Sequence, residues 1–178
     1  MAIINGTNLN DTLNGTATDD QIFGLAGNDT ISGDLGNDLI DGGAGDDFMD
    51  GELGVDTLSY ASASAGVTVS LAIKTAQNTG GAGIDTFSNF ENLIGSAFND
   101  VLTGGGENNV IEGGAGNDIM DGAGGTDAAS YAGASSAVTV DLAILTAQDT
   151  LGAGVDTLAN FEDLIGSAFN DTLLGNIG

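Results

Sequence analysis

The 178-residue chain has no cysteine, no histidine, no proline and no tryptophan. Without cysteine there is no disulfide framework and no thiolate site, and a zinc centre would want the histidine or cysteine that is missing. Aromatic residues make up only 5% of the chain, so a thick core of large side chains is out of reach. Collagen is excluded too: proline is absent, and the 31 glycines fall well short of one residue in three. No apolar run approaches membrane-spanning length, so no membrane insertion is expected. The opening Met1-Ala2-Ile3-Ile4-Asn5-Gly6 lacks the basic and apolar regions of a conventional signal peptide. Basic charge is nearly missing as well. Lys74 stands against 26 acidic residues, for a formal net charge of -25, which argues against nucleic acid or an anionic membrane surface as a partner. Two carboxylates about 5 Å apart repel by roughly 3 kcal/mol at an effective dielectric of 20. One lysine cannot offset clustered acids, so an outside cation must.

What is present is a repeat. Nine-residue blocks, most of them opening on glycine, run from Gly6 to Ser59. Their sixth positions hold Asp11, Asp20, Asp29, Asp38, Asp47 and Asp56, and their eighth hold Leu13, Ile22, Ile31, Ile40, Met49 and Leu58. After a lapse the period resumes at Gly95, with Asp100, Asn109, Asp118 and Asp127 in sixth place and Leu102, Ile111, Met120 and Ala129 in eighth. A second lapse ends at Gly166, whose block carries Asp171. The lapses are copies of each other: Tyr60 recurs as Tyr131, Val67-Thr68-Val69 as Val138-Thr139-Val140, and Asn89-Phe90-Glu91 as Asn160-Phe161-Glu162. Each hides one more block, Gly80 to Ser88 with Asp85 and Leu151 to Ala159 with Asp156. The chain therefore reads as one domain over 1–178. It comprises nonapeptides at 1–59, an insert at 60–94, nonapeptides at 95–130, an insert at 131–165 and a truncated nonapeptide at 166–178, with the inserts as decorated coils of the same stack.

Each block has a glycine-rich half suited to a turn and a three-residue half suited to a very short strand with its middle side chain inward. Two blocks make one coil, and stacked coils bury the eighth positions as a thin apolar ladder. With coils about 4.8 Å apart, roughly ten would make a rod about 50 Å long. The fold class expected is all-β, a parallel β-solenoid. Stacking lines up Asp11, Asp29 and Asp47 on one edge and Asp20, Asp38 and Asp56 on the other. Paired carboxylates with inward turn carbonyls form an all-oxygen cage that suits Ca²⁺, which takes six to eight oxygens in flexible geometry, better than Mg²⁺.

Other readings of the same residues are weaker. A flexible acidic linker has no reason to keep an aliphatic residue in fixed phase. The EF-hand loop never appears. A threonine ladder for ice binding, begun by Thr12 and Thr30, is broken by Phe48. Glu91 and Glu162 have no histidine or nucleophile beside them and suit coil turns better than catalysis. Phe90, Phe98, Phe161 and Phe169 are expected to fill the core of the insert coils, and Tyr60 and Tyr131 to close the transition from narrow to decorated coils.

The block Gly42-Gly43-Ala44-Gly45-Asp46-Asp47-Phe48-Met49-Asp50 resembles the G-G-x-G-x-D-x-U-x nonapeptide of the repeats-in-toxin (RTX) family. That resemblance implies a right-handed parallel β-roll, several Ca²⁺ ions held in its turns, and export by type I secretion. It also implies ligand sets. One turn gives carbonyls two and four plus its aspartate, and the turn one coil later gives carbonyls one and three plus its aspartate. One ion would then sit among Leu25, Gly27, Asp29, Gly42, Ala44 and Asp47. Others would sit among Asp34, Gly36, Asp38, Gly51, Leu53 and Asp56, and among Ser96, Phe98, Asp100, Gly113, Ala115 and Asp118. The same rule pairs Asp11 with Gly24 and Ala26, joins Thr16, Thr18 and Asp20 to Gly33 and Leu35, and joins Gly105, Glu107 and Asn109 to Gly122, Gly124 and Asp127. Asp85, Asp156 and Asp171 complete the candidates. Leu9, Thr18, Phe98 and Phe169 depart from the fourth-position glycine and Asn109 from the aspartate, while the stretch from Tyr60 to Thr79 has no acid for a site of this type.

These features lead to a non-enzymatic, calcium-stabilised module of a secreted bacterial surface, adhesin or matrix protein. It would fold on Ca²⁺ after export and could stack head to tail into filaments, because the repeat starts near Met1 and stops mid-block at Gly178. The alternatives are the C-terminal repeat region of a secreted protease, lipase or epimerase, and a calcium buffer or sensor.

Overall fold

A three-residue strand buries too little to stand alone, so this sequence can fold only by stacking one triplet on the next. The computed structural model describes residues 1–175; residues 176–178 of the last nonapeptide lie outside the described part. Twenty strands and no helix occur among the described residues. One face is a continuous parallel sheet of Ile3–Asn5, Gln21–Phe23, Leu39–Asp41, Thr57–Ser59, Asn92–Ile94, Val110–Glu112, Ala128–Ser130 and Asp163–Ile165. This face holds eight strands, and the two inserts give the opposite face two more. Register sets Ile4, Ile22, Ile40, Leu58, Leu93, Ile111, Ala129 and Leu164 in one inward row.

The opposite face stacks Thr12–Asn14, Thr30–Ser32, Phe48–Asp50 and Ile84–Ser88. A second stack holds Thr68–Ser70, Val101–Thr103, Ile119–Asp121 and Val155–Ala159, and Thr139–Asp141 pairs with Thr172–Leu174. Its inward rows are Leu13, Ile31, Met49 and Phe87, then Val69, Leu102, Met120 and Leu158. Apart from the half-exposed Leu13, every member of these two rows is buried. Each such aliphatic or aromatic side chain is worth about 1.5–3 kcal/mol on burial. The two facing rows are therefore the hydrophobic core. Thr12, Thr30 and Phe48 are cross-strand partners on the outer side, so the phenylalanine does interrupt the threonine row.

Each insert gives this second face one extra strand, and it does so out of order. After Thr57–Ser59 the chain crosses as Thr68–Ser70, which pairs upward with Val101–Thr103. It then doubles back: Gln77–Asn78 runs antiparallel to the start of Ile84–Ser88, whose remainder drops onto Phe48–Asp50. Asn92–Ile94 resumes the first face directly on Thr57–Ser59. The gap this leaves beside Thr68–Ser70 is filled by a side chain. Gln77 Oε1 accepts the Ser70 amide hydrogen at 3.0 Å, and Gln77 Nε2 donates to the Ser70 carbonyl at 2.9 Å. Gln148 does the same for Asp141 at 2.8 and 3.0 Å. A primary amide carries the same donor and acceptor as a peptide group, so it stands in for the missing neighbour.

Phe90 and Phe161 are buried, with the Phe90 ring edge-on to Phe87 at 6.5 Å between centroids. Phe98 and Phe169 are not core residues, contrary to the sequence-based expectation: they are 46% and 52% exposed. Their fourth-position place falls in the turn, outside the strands whose middle residues point inward. Leu9, at the same place in its block, is 74% exposed.

Candidate metal centres

The sixth-position acids stand at the mouth of each strand, along two edges of the stack. Their Oδ1 atoms form a ladder with the backbone. Asp29 Oδ1 accepts the amide of Asp11, Asp47 that of Asp29, and Asp85 that of Asp47, at 2.8 to 3.0 Å. On the other edge Asp38 Oδ1 accepts the amide of Asp20 and Asp56 that of Asp38. Past the first insert, Asp118 Oδ1 takes the amide of Asp100 and Asp127 that of Asn109. The structure thus aligns these acids one coil apart, as the nine-residue period requires.

The second oxygen, Oδ2, separates the turns into two kinds. In Asp29, Asp38, Asp47, Asp56, Asp118 and Asp127 it is buried without any hydrogen-bond partner, although the residues are at most 3% exposed. Unsatisfied buried oxygens are rare and call for an ion or water to explain them. In the same six blocks the second residue is left-handed: Leu25, Asp34, Gly43, Glu52, Gly114 and Ala123 have φ between 66° and 94°. For the non-glycine residues this costs on the order of 1–2 kcal/mol each, and such strain persists where the surroundings over-determine it. The first-position glycine must be bare. A Cβ on Gly24 would collide with both Asp29 Oδ2 and the Gly42 carbonyl oxygen, so oxygens from successive coils converge there.

The other turns satisfy themselves. Asp20 Oδ2 accepts from the Thr16 amide at 2.6 Å and the Thr16 hydroxyl at 2.8 Å. Thr7 caps Asp11 in the same way. Ser96 gives its amide to one oxygen of Asp100 and its hydroxyl to the other, as Ser167 does for Asp171. Asn109 accepts the Gly105 amide and donates to the Glu91 carbonyl. In the inserts, Oδ2 of Asp85 is held by the Tyr60 and Thr79 hydroxyls, and that of Asp156 by Tyr131 and Thr150.

Burial pushes the Asp47 and Asp118 carboxyls up to about 7 and that of Asp56 to about 6, with neighbouring acids adding to the shift. Burial also raises Asp29, Asp38 and Asp127. Asp20 is lowered, first by the Ala2 amide, and Asp171 is lowered, first by the Ser167 hydroxyl. Burial raises Asp85 and Asp156 as well, even though hydroxyls hold their Oδ2 atoms.

Of the anticipated ligand sets, Asp29 with Asp47 and Asp38 with Asp56 are brought together with free oxygens. In the set built on Ser96 and Phe98, Asp118 has a free oxygen while Asp100 is occupied by Ser96. The carbonyls of Leu25 and Ala44 accept the Ala44 and Gly27 amides of the facing turns at 2.9 Å, and each carbonyl retains a second lone pair. Among the described residues no three acidic side chains meet at one point. A cation would therefore rest on one or two carboxylates and turn carbonyls, a donor set of oxygen alone that fits Ca²⁺.

Two ladder members were missed in the sequence. Glu91 Oε2 accepts the Asp56 amide and Glu162 Oε2 the Asp127 amide, both at 2.8 Å, which is the place an aspartate holds elsewhere. The signal was there: Glu91 directly precedes the triplet Asn92-Leu93-Ile94, as the aspartates of the blocks outside the inserts precede their own strands.

The profile of the RTX calcium-binding nonapeptide repeat matches the chain in four copies, at residues 5–40, 27–58, 94–128 and 159–178, leaving nearly all of the first insert and most of the second unmatched. No curated protein matches the chain. With the matched segments covering more than half of its length and carrying the aspartate ladders, the chain belongs to the RTX calcium-binding nonapeptide repeat family.

Proposed function

We propose that this calcium-binding repeat module is a structural element that works outside the cell and folds as it takes up ions. The observation that carries this reading is the set of six buried carboxylate oxygens without partners. An unpaired buried charge costs several kcal/mol, so six of them exceed the 5–15 kcal/mol by which ordinary domains are stable. Bound Ca²⁺ supplies the missing charge and coordination, and its binding free energy becomes folding free energy. In a compartment poor in calcium, mutual repulsion along Asp29, Asp47 and their neighbours would keep the chain open and fit for export. In a calcium-rich one the coils would close.

A stack of acidic coils suits an adhesive or matrix role. End-to-end self-association belongs to the same reading. Strands Ile3–Asn5 and Thr172–Leu174 pair on one side only among the described residues, and an open strand edge templates pairing. The same edges would accept further coils of a longer secreted protein, and electron microscopy with and without calcium separates filaments from single rods. Circular dichroism during a Ca²⁺ titration, with Mg²⁺ as control, tests the central claim. Strand signal should appear cooperatively with Ca²⁺ alone. Full strand content in chelator at neutral pH would refute it.

A further inference from the structure

The self-satisfied turns are not scattered at random. On one edge capped Asp11 precedes the partnerless pair Asp29 and Asp47, and Tyr60 closes the run at Asp85. Beyond the first insert, capped Asp100 precedes partnerless Asp118, and Tyr131 closes that run at Asp156. Both open stretches of this edge are thus bracketed by carboxylates that the protein itself satisfies.

We propose that the second-position hydroxyl residues Thr7, Thr16, Ser96 and Ser167 replace an ion, so that the turns they open stay metal-free and, at Thr7, Thr16 and Ser96, mark where a run of calcium-bearing turns begins. The inference rests on the calcium reading above and adds which turns are excluded from it. The geometry gives the reason. In a capped turn the second residue keeps a right-handed or extended backbone, since none of these four is among the left-handed residues. Its amide then points at Asp Oδ2, at 2.6 Å for Thr7, Thr16 and Ser96 and 2.7 Å for Ser167. The hydroxyl adds a second donor to the same carboxylate. Two charge-assisted donors stabilise the carboxylate and occupy the oxygens that a cation would otherwise need. In an open turn the left-handed second residue turns its amide away, and Oδ2 has no donor. Fourth-position side chains agree: the capped turns carry Leu9, Thr18, Phe98 and Phe169, whereas glycine holds that place in all six open blocks.

Counting bound calcium per chain by equilibrium dialysis tests this. Ser96→Gly with Phe98→Gly recreates the open pattern beside Asp118 and should raise the count by one. Adding Asp100→Asn to that variant should return it to the wild-type value. Asp100→Asn alone should leave the count unchanged, because an asparagine at this place still accepts the second-position amide, as Asn109 does from Gly105. Asp47→Asn serves as the contrast and should lower the count. Strand content in saturating calcium checks that each variant is folded. An unchanged count in the Ser96/Phe98 variant, or the loss of one ion in Asp100→Asn alone, overturns the proposal. A wild-type chain that binds no calcium would overturn the parent reading instead.

Discussion

The amide of Asp29 donates to Oδ1 of Asp47, one coil and eighteen residues further on, at 2.8 Å. That bond fixes one oxygen of Asp47 in the backbone ladder and leaves the other, buried and partnerless, toward the edge. Structure and ion demand are therefore divided between two atoms of the same carboxylate.

Replacing Asp47 by asparagine keeps the Oδ1 acceptor and removes the charge. Calcium affinity should fall at least tenfold, equivalent to about 1.4 kcal/mol, while the chelated protein becomes easier to fold. A calcium titration followed by circular dichroism reads the first effect, and urea unfolding in chelator the second. Unchanged affinity would remove Asp47 from the site.

Acid should substitute in part for calcium. Burial raises the folded carboxyls of Asp47 and Asp118 to about 7 and of Asp56 to about 6, against 3.8 for an ordinary aspartate. Between about pH 4 and 7 the ion-free fold then binds more protons than the unfolded chain, so its stability is greatest at the acid end and is lost as pH rises through that window. Strand signal of the chelated protein should be larger at pH 4.5 than at pH 7.5. The calcium midpoint should move to higher concentration as pH falls below 7, because protons and ions compete for the same oxygens.

Tyr60→Phe removes one of the two hydroxyls that hold Asp85 Oδ2 in a fully buried setting. Loss of about 1–2 kcal/mol is expected. In a domain of this size each kcal/mol lowers the melting temperature by about 2–4 °C, which calorimetry in saturating calcium resolves. Tyr131→Phe should behave alike at Asp156, and the two losses should add because the inserts do not share these partners.

Gln77→Glu keeps an acceptor for the Ser70 amide and loses the donor to the Ser70 carbonyl. Gln77→Leu loses both and leaves two strand groups without partners. Hydrogen exchange at Ser70 should quicken strongly in the leucine variant and less in the glutamate variant. Equal, wild-type protection in both would mean that water serves that strand edge as well as the side chain does.

The nine-residue period carried the all-β parallel stack, the inward aliphatic rows and the two aspartate edges, because in a solenoid neighbours in space are set by fixed separation in sequence. Position six followed by an apolar eighth residue is enough to place Ile31 on Met49 and Asp29 beside Asp47. Three things lay beyond that rule. The backward threading of 60–94 depends on Gln77 posing as a peptide group, a long-range match of one amide to one strand edge with no period to reveal it. Phe90 is buried against Phe87 and Phe98 is exposed although both lie between strands, a difference set by what each corner faces. In the nonapeptide turns outside the inserts, whether an aspartate oxygen has a partner goes with the backbone hand of the residue four places before it, and only the folded coil sets where that amide points.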